Sequence, residues 1–317
     1  AQHGGAIGRI QGDAPDGTTV LGTALVAADG SWAVTVTSAL ADGTQALSVT
    51  ATDPAGNESG ATSLNITVDA TPPAALPNAA LDPVSGTGGL TKDNTPVVSG
   101  TGATSGDTVT LYGPDGTTVL GTAVVAADGT WSITPTTPLA EGVNALTVAA
   151  TDPAGNEGAT TPASVTVDTT APAAPTGVGL DAASGTGGLS KDTTPTIVGA
   201  GVAGDTITLY GTDGTTVLGT AVVAADGTWS ITPTAALAEG ANNLSVKATD
   251  PAGNQGPATA VAITIDTTAP TATLAALGET AKTAAEATDA GGVLTVNGEA
   301  GSTSVVTFTG PKGSVSK

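Results

Sequence analysis

The segment Asp-Gly-Thr-Thr-Val-Leu-Gly-Thr-Ala-Leu-Val-Ala-Ala-Asp-Gly-Ser-Trp-Ala-Val-Thr that begins at Asp16 returns with few changes at Asp115 and again at Asp213. The two steps are 99 and 98 residues. The same steps relate Trp32, Trp131 and Trp229, the Thr-Asp-Pro-Ala-Gly-Asn segments at Asp53, Asp152 and Asp250, and the aspartates Asp69, Asp168 and Asp266. A period near 100 residues is too long for one unit of a solenoid, whose repeats are roughly 20–50 residues. It suits one self-contained β-domain.

Proline marks the boundaries. Asp69-Ala-Thr-Pro-Pro, Asp168-Thr-Thr-Ala-Pro and Asp266-Thr-Thr-Ala-Pro each close one block. Proline-rich connectors favour extended backbone, so these linkers are expected to be short and semi-rigid. The organisation that follows is a partial repeat over 1–69 lacking its early strands, complete repeats over 70–168 and 169–266, and a partial repeat over 267–317 lacking its late strands.

Within a repeat, apolar residues alternate with polar ones. Val109 and Leu111 share a face, as do Leu146, Val148 and Ala150, then Val165 and Val167, then Trp131 and Ile133. The next repeat matches with Ile207/Leu209, Leu244/Val246/Ala248, Ile263/Ile265 and Trp229/Ile231. A period of two is the mark of half-buried strands. The chain holds 45 Gly and 20 Pro, and Asp-Gly at Asp115, Asp128, Asp213 and Asp226 suits turns that need positive φ. About seven short strands per repeat, with turns between them, predict an all-β protein of tandem immunoglobulin-like β-sandwiches, arranged as an extended rod.

Charge narrows the partners. Seven Lys and Arg stand against 28 Asp and Glu, a net charge of -21. Nucleic acid needs a basic face, so it is excluded as a partner. An anionic membrane surface repels such a chain, and no apolar run reaches spanning length, so direct membrane insertion is not expected. Divalent cations are what this charge attracts. Asp outnumbers Glu 21 to 7, and seven Asp precede Gly. The acidity therefore sits in turns and does not form the general coat of a high-salt protein.

No catalytic set is visible, and the chain is read as not an enzyme. There is no Cys, and His3 is the one His, so a Cys/His pair and the usual zinc ligands are missing. A Ser-His-Asp arrangement would rest on His3 in a Gly-rich start. Gly86-Thr-Gly-Gly89 has no phosphate-binding Lys-Ser/Thr after it and reads as a loop. The acids fall in turns and linkers repeated from block to block, which suits a structural role.

Asp152-Pro-Ala-Gly-Asn156 and Asp250-Pro-Ala-Gly-Asn254 occupy the loop before the last strand, at the pole where the chain enters a sandwich. Asp69 is therefore expected near Asp152 and Asn156, and Asp168 near Asp250 and Asn254. The loop after the first strand lies at the far pole, which brings Asp93 near the second linker and gives Asp192 and Asp266 the same places one repeat on. Two readings fit. Calcium takes six to eight hard oxygens, and two Asp, one Asn and nearby carbonyls are of that kind. The segment is also a good β-turn in its own right, with Asp capping, Pro fixing φ and Gly taking positive φ. The recurring Trp residues are read as core or a cap over it, because each shares a face with an inward Ile or Val.

The Asp-Thr-Thr-Ala-Pro linker, the Ala-Ala-Asp-Gly-Thr-Trp-Ser-Ile-Thr block, the Ala-Thr-Asp-Pro-Ala-Gly-Asn turn and the Leu180-Asp181…Lys191-Asp192-Thr-Thr-Pro pattern resemble the bacterial Ig-like repeats of very large cell-surface adhesins and biofilm proteins. The resemblance covers essentially the whole chain. It implies an extracellular extender that holds an adhesive domain away from a bacterial cell, with calcium bound at domain junctions. Export would then be directed by a signal outside these residues. Where family members often carry further aspartates after the first strand, this chain has Ser-Gly-Thr-Gly-Gly at Ser85 and Ser184. Neighbouring repeats of one long chain are the expected partners. Two other readings are a lectin-like glycan-binding module, for which Tyr112 and Tyr210 are the residues to inspect, and a subunit of a filament built by head-to-tail strand complementation between the two partial repeats.

Overall fold

The computed structural model describes residues 9–13, 19–274, 296–298, 300–303, 305, 307–310 and 313–316. His3 lies outside them. Every regular element among the described residues is a β-strand. The chain falls into two compact units, residues 1–171 with 250–254, and residues 172–249 with 255–317.

In the first unit, the N-terminal repeat supplies β1 (Arg9–Asp13), β2 (Val20–Leu25), β3 (Gly43–Thr52) and β4 (Thr62–Val68). They form one antiparallel sheet in the order β2-β1-β3-β4. The following repeat begins with β5 (Ala80–Leu81), β6 (Leu90–Thr91) and β7 (Val98–Gly100). It continues with β8 (Thr108–Tyr112), β9 (Val119–Val124), β10 (Trp131–Ile133) and β11 (Gly142–Asn144). It ends with β12 (Thr147–Thr151), β13 (Thr161–Pro162) and β14 (Val165–Val167).

Its strands make a face of order β10-β7-β5 and an opposing face in two pieces, β13-β12-β8-β9 and β11-β14-β6. Between them the predicted inward rows meet: Val98, Val109, Leu111, Val148 and Val165 are fully buried, with Trp131, Ile133 and Leu146 beside them. Burial of each such side chain contributes about 1.5–3 kcal/mol.

The second unit repeats the design with fewer breaks. Its strands are β15 (Thr176–Leu180), β16 (Leu189–Ser190), β17 (Ile197–Ala200), β18 (Thr206–Tyr210), β19 (Val217–Val222), β20 (Thr228–Ile231), β21 (Gly240–Thr249) and β22 (Thr259–Ile265). A three-stranded sheet, β15-β17-β20, faces a five-stranded one, β16-β22-β21-β18-β19. The ladder between β21 and β22 runs unbroken for seven pairs. In the preceding repeat Pro162 stands where this one has Ala260, and a proline cannot donate to the ladder.

Four more strands follow: β23 (Ala272–Leu274), β24 (Val296–Gly298), β25 (Thr307–Gly310) and β26 (Gly313–Ser316). They pair as two separate two-stranded antiparallel sheets.

The three Trp residues do not behave alike. Trp131 and Trp229 are 4% exposed and belong to the two cores. A Cβ added at Gly100 would lie 2.5 Å from the Trp131 ring, and one at Gly199 2.4 Å from the Trp229 ring. Glycine is the seat each indole needs. Trp32 is 47% exposed, so of the two places expected for it, core or a cap over the core, it is not in the core. Residues 32–34 form no strand, and no strand among the described residues lies opposite them as β7 lies opposite β10.

Candidate junction site

In every copy the Asp-Pro-Ala-Gly-Asn segment is a closed turn. Asp152 accepts the Asn156 backbone N–H on Oδ1 at 2.9 Å and the Asn156 side-chain Nδ2 on Oδ2 at 2.8 Å. The Gly155 N–H donates to the Asp152 carbonyl, and Gly155 takes φ +94°. Asp53 with Asn57, and Asp250 with Asn254, repeat both side-chain bonds. The Asn side chain, followed by the backbone bond, holds the carboxyls of Asp53 and Asp152 below the usual carboxylate range.

Two of these turns reach a linker. Asn156 Nδ2 also donates to the backbone carbonyl of Asp69 at 2.9 Å. Within the same unit, Asn254 Nδ2 donates to the carbonyl of Asp168 at 2.7 Å. The predicted meetings of Asp69 with Asn156 and of Asp168 with Asn254 therefore occur, through the linker backbone. The linker carboxylates face their own chain: Asp69, Asp168 and Asp266 each accept the N–H two residues on, from Thr71, Thr170 and Thr268.

The linker is gripped from both sides. Behind it, Glu141 accepts the Thr169 N–H and hydroxyl and the Thr170 hydroxyl. These bonds, that of the Thr169 side chain foremost, pull the Glu141 carboxyl below its usual range. Glu239 repeats the clasp on Thr267 and Thr268, and Asp42 does so on Ala70 and Thr71. Ahead of it, the carbonyl of Pro73 lies 2.5 Å from where a Cβ on Gly158 would sit, and Pro172 lies likewise against Gly256. The alternation and turn signals in the sequence do not disclose this clasp. The signal was the recurrence of an acid 27 residues before each linker aspartate.

A buried acid completes the site. Asp107 is 3% exposed at the start of β8. Its carboxyl is pushed above the usual range by burial first, and then by the nearby charges of Asp152 and Asp69. Asp107 thus feels two carboxylates that lie 38 and 45 residues away in sequence. Asp205, one repeat on, is equally buried. Sequence reading missed this pair too, although Gly-Asp-Thr recurs 98 residues apart.

Asp93 and Asp192 are turned into local bonds with Thr95 and Thr194. Beside Asp93, Lys92 Nζ donates to the carbonyl of Gly253 at 2.9 Å, so the Lys-Asp loop does reach the 250–254 turn. Among the described residues no three acidic or His side chains form a ready-made metal cluster. The groups whose charges act on Asp107 are the carboxylates of Asp152 and Asp69, and their donors are oxygens. That chemistry fits calcium rather than a thiolate- or imidazole-binding metal.

Grooves of about 640 and 600 Å³ run beside Trp131 and Trp229, but both indoles are buried at their floors and offer no stacking face. Tyr112 donates to Glu157 at 3.0 Å, and Tyr210 is met by Gln255 and Lys247.

A family model described as bacterial Ig-like domain matches residues 7–70, 76–169 and 173–267. No curated protein matches the chain. Among solved structures, the tetra-tandem repeat from the extending region of a large adhesion protein is 23% identical, covering 98% of this chain and 82% of that one, with a TM-score of 0.29. A Ca2+-stabilized adhesin, described as helping an Antarctic bacterium reach out and bind ice, is 27% identical, covering 86% and 69%, with a TM-score of 0.36. The BSP domain of a biofilm associated protein is 20% identical, covering 78% and 46%, with a TM-score of 0.24.

Proposed function

The chain belongs to the bacterial Ig-like domain family, and on that footing we propose that it is a structural stalk segment of an extracellular bacterial surface adhesin, with no catalytic role. The observation that carries this reading is the repeated linker grip. Each complete repeat presents its Asp-Pro-Ala-Gly-Asn turn to the carbonyl of the preceding linker aspartate. The linker's Thr residues are tied to an acid of the repeat before. A stalk transmits distance only if its linkers resist bending, and bonds on both sides of a linker do that. The repeats are taken as 1–69, 70–168, 169–266 and 267–317.

Calcium is the second half of the proposal. Asp69, Asp107, Asp152 and Asn156 would hold one ion, and Asp168, Asp250 and Asn254 would contribute to another. Asp93, Asp192 and Asp266 would contribute at the matching ends of their repeats. A bound cation would offset the burial cost of the Asp107 charge and its repulsion by Asp152 and Asp69, and would tie linker to turn by charge as well as by the Asn amide. Glu141 and Glu239, committed to the linker threonines, would keep the linker ordered while the ion exchanges.

Calcium titration calorimetry on the full chain tests this, beside the D69N/D152N double variant. Saturable binding to the wild type, weakened at least tenfold in the variant, supports the reading. Absence of binding in the wild type removes calcium and leaves the grip to hydrogen bonds alone.

A further inference from the structure

We propose that the Ser-Gly-Thr-Gly-Gly loop and the short strand after it lock the two ends of each complete repeat against tension, as a clamp loaded in shear. The loop is a built structure. Ser85 Oγ accepts the Val97 N–H, and the Ser85 carbonyl accepts the Thr91 hydroxyl. Ser184 does the same with Thr196 and Ser190. Gly88 and Gly89 take φ +62° and +81°, and Gly187 and Gly188 take +63° and +83°, which glycine adopts at little cost. A Cβ on Gly86 would collide with the Leu90 carbonyl, and one on Gly185 with that of Leu189. The glycines let the loop turn tightly enough to lay the next residues beside the last strand.

Those residues pair in parallel, β6 with β14 and β16 with β22, and these are the only parallel pairs among the described residues. The Gly89 carbonyl accepts the Thr166 N–H at 2.7 Å, and the Thr91 carbonyl accepts the Asp168 N–H at 2.8 Å. One repeat on, Gly188 accepts from Thr264 at 2.7 Å and Ser190 from Asp266 at 2.9 Å. Asp168 and Asp266 open the linkers, so a clamp bond ties the chain where it leaves each complete repeat. Thr91 and Ser190 are buried and seat the short strand in its repeat. The segment after it is held too, because Leu139 N–H donates to the Asn94 carbonyl and Leu237 N–H to that of Thr193.

Direction decides how these bonds share a load. Tension on the two ends of a repeat draws β14 toward its C-terminal end and β6 toward its N-terminal end. In parallel strands those pulls oppose each other along the strands, so the evenly spaced bonds between them are strained together. In an antiparallel terminal pair both pulls would act at one end and open the bonds one after another. β5 lies outside the clamp and meets β7 through only two residue pairs, so it should detach first and leave the clamp as the main barrier. The clamp deepens the stalk reading, on which it rests for the source of tension, and it needs no calcium.

Single-molecule pulling on the full chain, in chelator, tests this. The chain has no native cysteine, so handles attach only where one is introduced, and Ala75, Asn94 and Ala171 are exposed. Handles on A75C/A171C stretch repeat 70–168 from end to end. Handles on N94C/A171C grip the same clamp at the one end where β6 and β14 both finish. Forced unfolding follows the barrier along the direction of pull, so the end-to-end geometry is expected to need at least about twofold more force. Thr166→Pro deletes one clamp donor and should lower the end-to-end force by about half. Equal forces in the two directions would overturn the clamp, whatever the proline variant does to folding. So would an end-to-end force that Thr166→Pro leaves unchanged. The experiment applies the tension itself, so either failure would leave the stalk reading standing.

Discussion

Asn156 reaches back 87 residues to donate its side-chain amide to the backbone carbonyl of Asp69, at 2.9 Å. The same nitrogen closes the turn through Asp152, so one amide fixes both the shape of a loop and the place of the linker beside it. Its second copy, Asn254 on Asp168, is 2.7 Å.

Asn156→Ala removes both bonds at once. With a net contribution near 0.5–1.5 kcal/mol for each hydrogen bond, the expected loss is about 1–2 kcal/mol. Scanning calorimetry reads the loss. Limited proteolysis should show faster cleavage between Asp69 and Pro73 in the variant; equal cleavage would mean the amide does not restrain the linker.

Asp107→Asn should stabilise the calcium-free protein at neutral pH. The Asp107 carboxyl titrates above its usual range, so its ionised form costs folded-state stability at high pH. That cost disappears as pH falls through its folded pKa. The gain from the variant is therefore largest at pH 7 and shrinks on acidification. In excess calcium the order should reverse, because a ligand has gone. Melting curves from pH 4 to 8, with chelator and with calcium, check both signs.

Glu141→Gln should act in the opposite direction. The Glu141 carboxyl is lowered by the Thr169 side chain and backbone, so its contribution is present above the ordinary Glu pKa. It is lost as pH falls through the lower folded value. The variant should be less stable at pH 7 and should show a flatter acid limb. An unchanged limb would mean that the clasp on Thr169 is not formed in solution.

Gly100→Ala and Gly199→Ala each drive a methyl into an indole ring. Overpacking of this kind costs about 1–3 kcal/mol, and denaturant titration with Trp emission reads it. Val124→Thr, at a site 68% exposed, should change stability by less than about 0.5 kcal/mol.

The strand rows were legible because alternation depends only on neighbours two apart. Val109/Leu111 and Val165/Val167 all point inward as expected. The meeting of turn and linker was legible for a different reason: sandwich topology puts the loop before the last strand at the pole where the chain enters. Trp32 misled because its periodicity matches that of Trp131, while burial depends on a strand that sequence spacing alone cannot supply. Asp107 was missed because a single acid at a strand start reads as an ordinary polar edge. Its character comes from burial and from Asp152 and Asp69, far away in sequence. Glu141 was missed because its partners, Thr169 and Thr170, lie in the segment read only as a spacer.

A linker held by the turn that follows it, and tightened by calcium, is the central claim. Small-angle scattering of the full chain at low concentration, in millimolar calcium and then in excess chelator, tests that most directly. A longer maximum dimension and a narrower distance distribution are expected in calcium, with both changes lost in D69N/D152N. Identical profiles in calcium and chelator would contradict it.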